Sequence, residues 1–154
     1  MTRRNHIATL AAWAVIGYAI FRAFTTPAPP TPTPHNGPDL RAAFGQTDNP
    51  ARARADAATF AALCRSIADV IEYDGRLDKP RLTTGAQLDR LRRWAREYNL
   101  DGVSLGTRYP ALPPAIKTYL DEQLGTDAGP LAPAHRQKWV AAYRTLAAAA
   151  DAAK

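Results

Sequence analysis

DNPARARADAATFAALCRSIADVIEYDG, residues 48–75, is the stretch that decides the fold. Within it Phe60, Leu63, Cys64, Ile67, Val70 and Ile71 follow the i, i+3, i+4, i+7 rule, which lays a single apolar stripe along a helix. Asp48-Asn49-Pro50 supplies capping side chains and a proline suited to the first helical position. Asp74-Gly75 closes the segment, so the pattern predicts a helix from Pro50 to about Tyr73.

Three further segments repeat this logic. Thr84-Gly85-Ala86-Gln87 reads as a capping box for a helix to about Tyr98, with Leu88, Leu91, Trp94, Ala95 and Tyr98 inward. Pro113-Pro114 opens a short helix whose Ile116, Tyr119, Leu120 and Leu124 face in, and Gly125 stands at its C-cap position. The last helix starts at about Pro133 and turns Trp139, Val140, Tyr143, Leu146 and Ala150 to one side. Asn99 to Pro110 is irregular and glycine-punctuated, no segment alternates as a strand does, and there is no internal repeat. The expected fold class is all-α: a small four-helix domain over 39–154, orthogonal or bundle-like in packing, and close to the commonest domain size.

Ahead of this domain the chain changes character. Thr2-Arg3-Arg4-Asn5-His6 precedes a nearly unbroken apolar run from Ile7 to Phe24. As a helix that run spans ~27 Å, close to the ~30 Å hydrocarbon core of a bilayer. Its one charge, Arg22, lies near the end, where a long side chain reaches the headgroups. Arg3 and Arg4 precede the run and no charge follows Arg22 until Asp39, so the positive-inside bias keeps the N-terminus cytoplasmic. A cleaved signal peptide is the rival, but no small-x-small site closes the run and no lipoprotein cysteine follows it. Thr25 to Pro38 carries proline at 27, 29, 30, 32, 34 and 38, which favours polyproline II and makes a semi-rigid spacer of ~40 Å. The expected organisation is therefore residues 1–24 as cytoplasmic tip and signal-anchor, 25–38 as spacer, and 39–154 displayed outside the cytoplasmic (inner) membrane.

Composition narrows the function classes. The single cysteine, Cys64, excludes an internal disulfide framework. Net charge is +6, and Arg3, Arg4 and Arg22 supply three of those charges; the remainder is only mildly basic, so no nucleic acid is expected as partner. No Cys/His spacing suits zinc and no glycine loop suits a phosphate, so neither metal nor cofactor is expected.

Several motifs suggest chemistry. Gly102-Val103-Ser104-Leu105-Gly106 matches G-x-S-x-G, with Asp121 or Asp127 and then His135 in the order of α/β-hydrolases. That elbow needs a strand before the serine and a helix after it in a large parallel sheet; a turn placing Val103 and Leu105 in the core is the better account. Cys64 with His135 could pair thiol and base, but Cys64 lies on the apolar stripe, where cysteine is a small hydrophobe. Glu72, Asp74 and Asp78 cluster at the first interhelical turn, and paired carboxylates suit glycoside hydrolysis. Tyr73-Asp74-Gly75 followed by Thr83-Thr84-Gly85 resembles phage-type lysozymes in residue type and departs from them in spacing, since that family sets its acid, aspartate and threonine at wider intervals. The resemblance implies a small membrane-tethered cell-wall hydrolase. Read as an EF-hand, the same turn puts Arg76 and Lys79 where a carboxylate and glycine belong.

The feature favoured for function is basic. Arg76, Lys79, Arg81, Arg90, Arg92, Arg93 and Arg96 face only Asp78 and Asp89 in the same stretch. Arg92, Arg93 and Arg96 are expected largely opposite Leu88, Leu91 and Ala95, giving a docking face made of Arg90, Arg92, Arg93 and Arg96. The resulting expectation is a non-enzymatic accessory module of a bacterial or phage envelope, held by Ile7 to Phe24 and docking a protein partner or anionic envelope surface.

Overall fold

The computed structural model describes residues 37–125 and 131–154. Ile7 to Phe24 and all but the end of the proline-rich spacer lie outside the described residues; among those described, no helix is long and apolar enough to cross a membrane. The described chain is mostly helical: α1 (Arg41–Phe44), α2 (Pro50–Gly75), α3 (Gly85–Glu97), α4 (Leu105–Arg108), α5 (Leu112–Leu124) and α6 (Pro133–Ala152), with strands β1 (Asn99–Leu100) and β2 (Val103–Ser104).

The four longer helices are the four expected from periodicity. Asn49 caps α2 by accepting the Arg52 N–H at 3.0 Å, with Pro50 at its first position. Phe60, Leu63, Cys64, Ile67 and Ile71 are buried along it. The expected capping box of α3 is present: Gln87 Oε1 accepts from the backbone N–H of Thr84 at 3.1 Å and of Thr83 at 2.7 Å, and the Thr84 side chain faces the Gln87 N–H in return. Gly125 ends α5 at a φ of 65°, the left-handed region in which glycine carries no Cβ penalty.

Two single-turn helices and a hairpin were not expected. In α1 the chain folds back so that Leu40 and Phe44 are buried, with the Phe44 ring 5.0 Å from Tyr109 and 6.3 Å from Phe60. Burying a ring of this size stabilises the fold by roughly 1.5–3 kcal/mol relative to exposure. The segment expected to be irregular holds an antiparallel pair, Asn99 opposite Ser104 and Leu100 opposite Val103. Its two turn residues, Asp101 and Gly102, have φ of 51° and 76°, as a two-residue hairpin turn requires. Leu105 is buried as expected, but Val103 is exposed on the hairpin, which corrects its placement in the core.

The dominant packing is α2 against α6. Ion pairs along this seam fix its direction: Arg136 with Asp74, Arg144 with Glu72, and Arg65 with Asp151, so the two helices run antiparallel. The α3 and α5 helices pack on each other, α5 also meets α6, and the loop end of α2 is joined to α3.

Candidate docking surface

The α3 helix separates its residues by angle. At 100° per residue, Leu88, Arg92 and Ala95 fall within one arc and Ala86, Arg90, Arg93, Trp94 and Glu97 within the opposite one. Leu88, Arg92 and Ala95 are buried, whereas Arg90, Arg93 and Glu97 are exposed and Trp94 is 36% exposed. Two expectations are thereby corrected. Arg92 is not on the outer face, because it stands four residues after Leu88 and three before Ala95. Trp94 does not point inward; it lies four residues after Arg90 and shares its face.

Arg92 is a structural residue. Its Nη1 donates to Asp89 Oδ1 at 2.7 Å and its Nη2 to the Gly125 carbonyl at 2.9 Å. The guanidinium sits over the Trp139 ring, 4.5 Å from the centroid, so it joins α3 to the end of α5 and to α6. Its Nε and the Tyr143 hydroxyl are buried and have no hydrogen-bond partner among the described residues. Burial pushes the Tyr143 phenol well above its usual range.

The outer face retains two of the four arginines, Arg90 and Arg93, with Arg96 half-buried on the flank of the helix. Among the described residues Arg90, Arg93 and Arg96 make no ion pair, while most arginines elsewhere in the domain do. The exposed Trp94 ring meets Tyr98 edge-on at 5.5 Å, so an aromatic pair borders the unpaired guanidinium groups. Arg96 also lies in the last turn, where the helix dipole favours a cation. The outcome is a helix face with a positive field and an amphipathic ring at its surface.

The three carboxylates of the first interhelical turn behave differently from one another. Asp74 is buried, not solvated: Oδ1 accepts the Arg81 N–H at 2.8 Å, and Oδ2 accepts from Leu82 N at 3.0 Å and Arg136 Nη1 at 2.9 Å. Arg136 continues to the Leu82 carbonyl at 2.7 Å, so this cluster clamps the α2–α3 loop against the start of α6. Glu72 is partly exposed; desolvation raises its pKa, but Arg144 and Arg76 outweigh this and hold it below the usual carboxylate range. That is the direction of a permanent anion, opposite to the shift a proton-donating acid needs. Asp78 is exposed. The three do not form a carboxylate pair with one neutral and one ionised member.

The other motifs resolve into structure. Ser104 caps α4, its Oγ accepting from Thr107 N at 3.0 Å and lying 2.6 Å from Thr107 Oγ1. The strand before it has two residues and the helix after it four, and neither Asp121 nor His135 hydrogen-bonds to it; Asp127 lies outside the described residues. Cys64 is wholly buried, and burial pushes its thiol far up, the reverse of an activated nucleophile. Among the described residues no group of three His, Cys, Asp or Glu side chains is arranged to hold a metal ion.

A second buried cluster had no counterpart in the sequence reading. Asp56 Oδ2 accepts from the Tyr109 hydroxyl at 2.7 Å and from Arg108 Nη1 at 2.9 Å, and Arg108 Nη2 reaches the Leu100 carbonyl at 3.3 Å. Arg52 pairs with Asp101 beside it. Desolvation, then the bond to Asp56, pushes the Tyr109 phenol up to about 12. This network ties the first half of α2 to the hairpin and α4. No family model, curated protein or solved structure matches this chain.

Proposed function

We propose that this chain is a single-pass, membrane-tethered interaction module of a bacterial or phage envelope system. Ile7 to Phe24 anchors it in the cytoplasmic membrane, Thr25 to Pro38 spaces it, and the helical domain docks a partner or anionic surface outside the cytoplasm. The observation that carries the docking part is the outer face of α3, where exposed Arg90 and Arg93 lack carboxylate partners among the described residues and flank Trp94. Unpaired guanidinium groups on a rigid helix present a field that attracts anions without first breaking an internal ion pair. The cell-wall hydrolase reading loses support because Asp74 is engaged by three donors and Glu72 is held as an anion.

A photo-crosslinking residue at Arg93 of the full chain, compared with one at Arg54 on α2, tests this in membranes. Crosslinking at position 93 and not at 54, with the chain resisting alkaline extraction, is expected. Equal crosslinking at both positions, or release of the chain at high pH, refutes the docking face or the anchor respectively.

A further inference from the structure

We infer that the ligand of the α3 face is the anionic phospholipid surface, so that the domain lies down on the bilayer rather than standing away from it. This rests on the tethered-module reading and names the partner of the same face. Three features of the chain lead to lipid. First, the outer arc of α3 combines Arg90 and Arg93 with an indole that is 36% exposed, and the half-buried Tyr98 at the end of the helix meets that indole edge-on, ring centroids 5.5 Å apart. Tryptophan and tyrosine gather at membrane interfaces because their rings are apolar at one end and hydrogen-bonding at the other. Arginine beside them supplies donors for phosphate, which it binds through its planar fork.

Second, the charge balance of this face is positive. Glu97 is the single acid on the outer arc, while Asp89 is engaged by the buried Arg92 and does not neutralise Arg90 or Arg93. Arg81 and Lys79, exposed on the loop that leads into α3, also have no ion-pair partner among the described residues. Each cation near an anionic surface contributes about a fivefold gain in binding.

Third, the chain carries its own membrane-length segment. A tether of ~40 Å holds the domain within reach of headgroups at an effective concentration that a freely diffusing acidic protein does not match. The spacer joins the domain beside α6, where Gly37 packs so closely on Thr145 that a Cβ would stand 2.9 Å from its Cγ2.

The test uses the full chain with Trp13→Phe, reconstituted into equimolar phosphatidylcholine/phosphatidylglycerol vesicles and into phosphatidylcholine alone. Trp139 is buried, so the accessible indole is Trp94. Expected is a blue shift of its emission and quenching by brominated acyl chains in the phosphatidylglycerol vesicles only, reversed by high salt. Arg90→Gln with Arg93→Gln should weaken that docking by roughly twenty-five-fold, two fivefold steps, with unchanged far-UV circular dichroism. Trp94 emission identical in the two lipids overturns the lipid assignment. If position 93 then crosslinks to a protein in membranes, the partner is an acidic protein and the module reading survives; if it crosslinks to nothing, both fall.

Discussion

The division of α3 into a structural arginine and surface arginines is tested most directly by Arg92→Ala against Arg93→Ala. Removing Arg92 deletes a charge-assisted hydrogen bond to Asp89, worth about 1.5–3 kcal/mol when shielded. Asp89 is 41% exposed on its side chain and can rehydrate, so the lower end applies. The cation–π contact with Trp139 adds roughly 1–2 kcal/mol and the bond to the Gly125 carbonyl about 1 kcal/mol. Against this, the variant relieves the buried Nε of its missing partner, at about 1 kcal/mol. The net expected loss is about 3 kcal/mol, which for a domain of this size lowers the melting midpoint by roughly 10–15 °C. Arg93→Ala should change stability by no more than about 0.5 kcal/mol, because the side chain is exposed and without an ion-pair partner among the described residues. Arg92→Met keeps the apolar stem over Trp139 and should fall between the two. Thermal melts of the full chain in mild detergent, followed by far-UV circular dichroism, read all three. If Arg92→Ala melts with wild type, or Arg93→Ala is the less stable variant, the buried placement of Arg92 is wrong.

Other expectations follow from the buried groups. Arg136→Met leaves Asp74 facing backbone donors alone and should cost about 3 kcal/mol, seen as a lower urea midpoint; an unchanged midpoint refutes the clamp. Cys64 should resist maleimide in the native chain and react once denaturant unfolds it, since its thiol is buried and its pKa raised; rapid native labelling refutes this. Tyr109 is raised to about 12, so its contribution is complete below the unfolded value near pH 10 and is lost as pH climbs from there towards 12. Stability measured across that window should therefore decline, and Tyr109→Phe should flatten the decline; identical slopes contradict the assignment.

Local rules made much of the helical framework legible. Asn49-Pro50 and the stripe from Phe60 to Ile71 lie within one segment, so they could be read without knowing any tertiary partner. The reading of Arg92 failed for another reason: a charged residue was placed outside by its chemistry although its angle matches Leu88 and Ala95. Trp94 failed in the mirror sense, since a large ring was placed inside against its angle. The hairpin carried a signal in Asp101-Gly102, but two-residue strands are too short to show alternation. Asp74 with Arg136, and Asp56 with Arg108, join residues 62 and 52 positions apart, and nothing local to either marks its partner.

The seam between α2 and α6 has a consequence for how the molecule comes into being. Among the described residues α2 finds its main partner in α6, far along the chain from it, so the apolar stripe of α2 stays uncovered until α6 has left the ribosome or a translocon. Closing a loop of that length is slow relative to helix formation, and the exposed stripe is a target for chaperones meanwhile. A stop codon that removes the second half of α6 would therefore yield no trimmed domain with an intact α3 face. It would yield an unfinished one, open to proteolysis along α2.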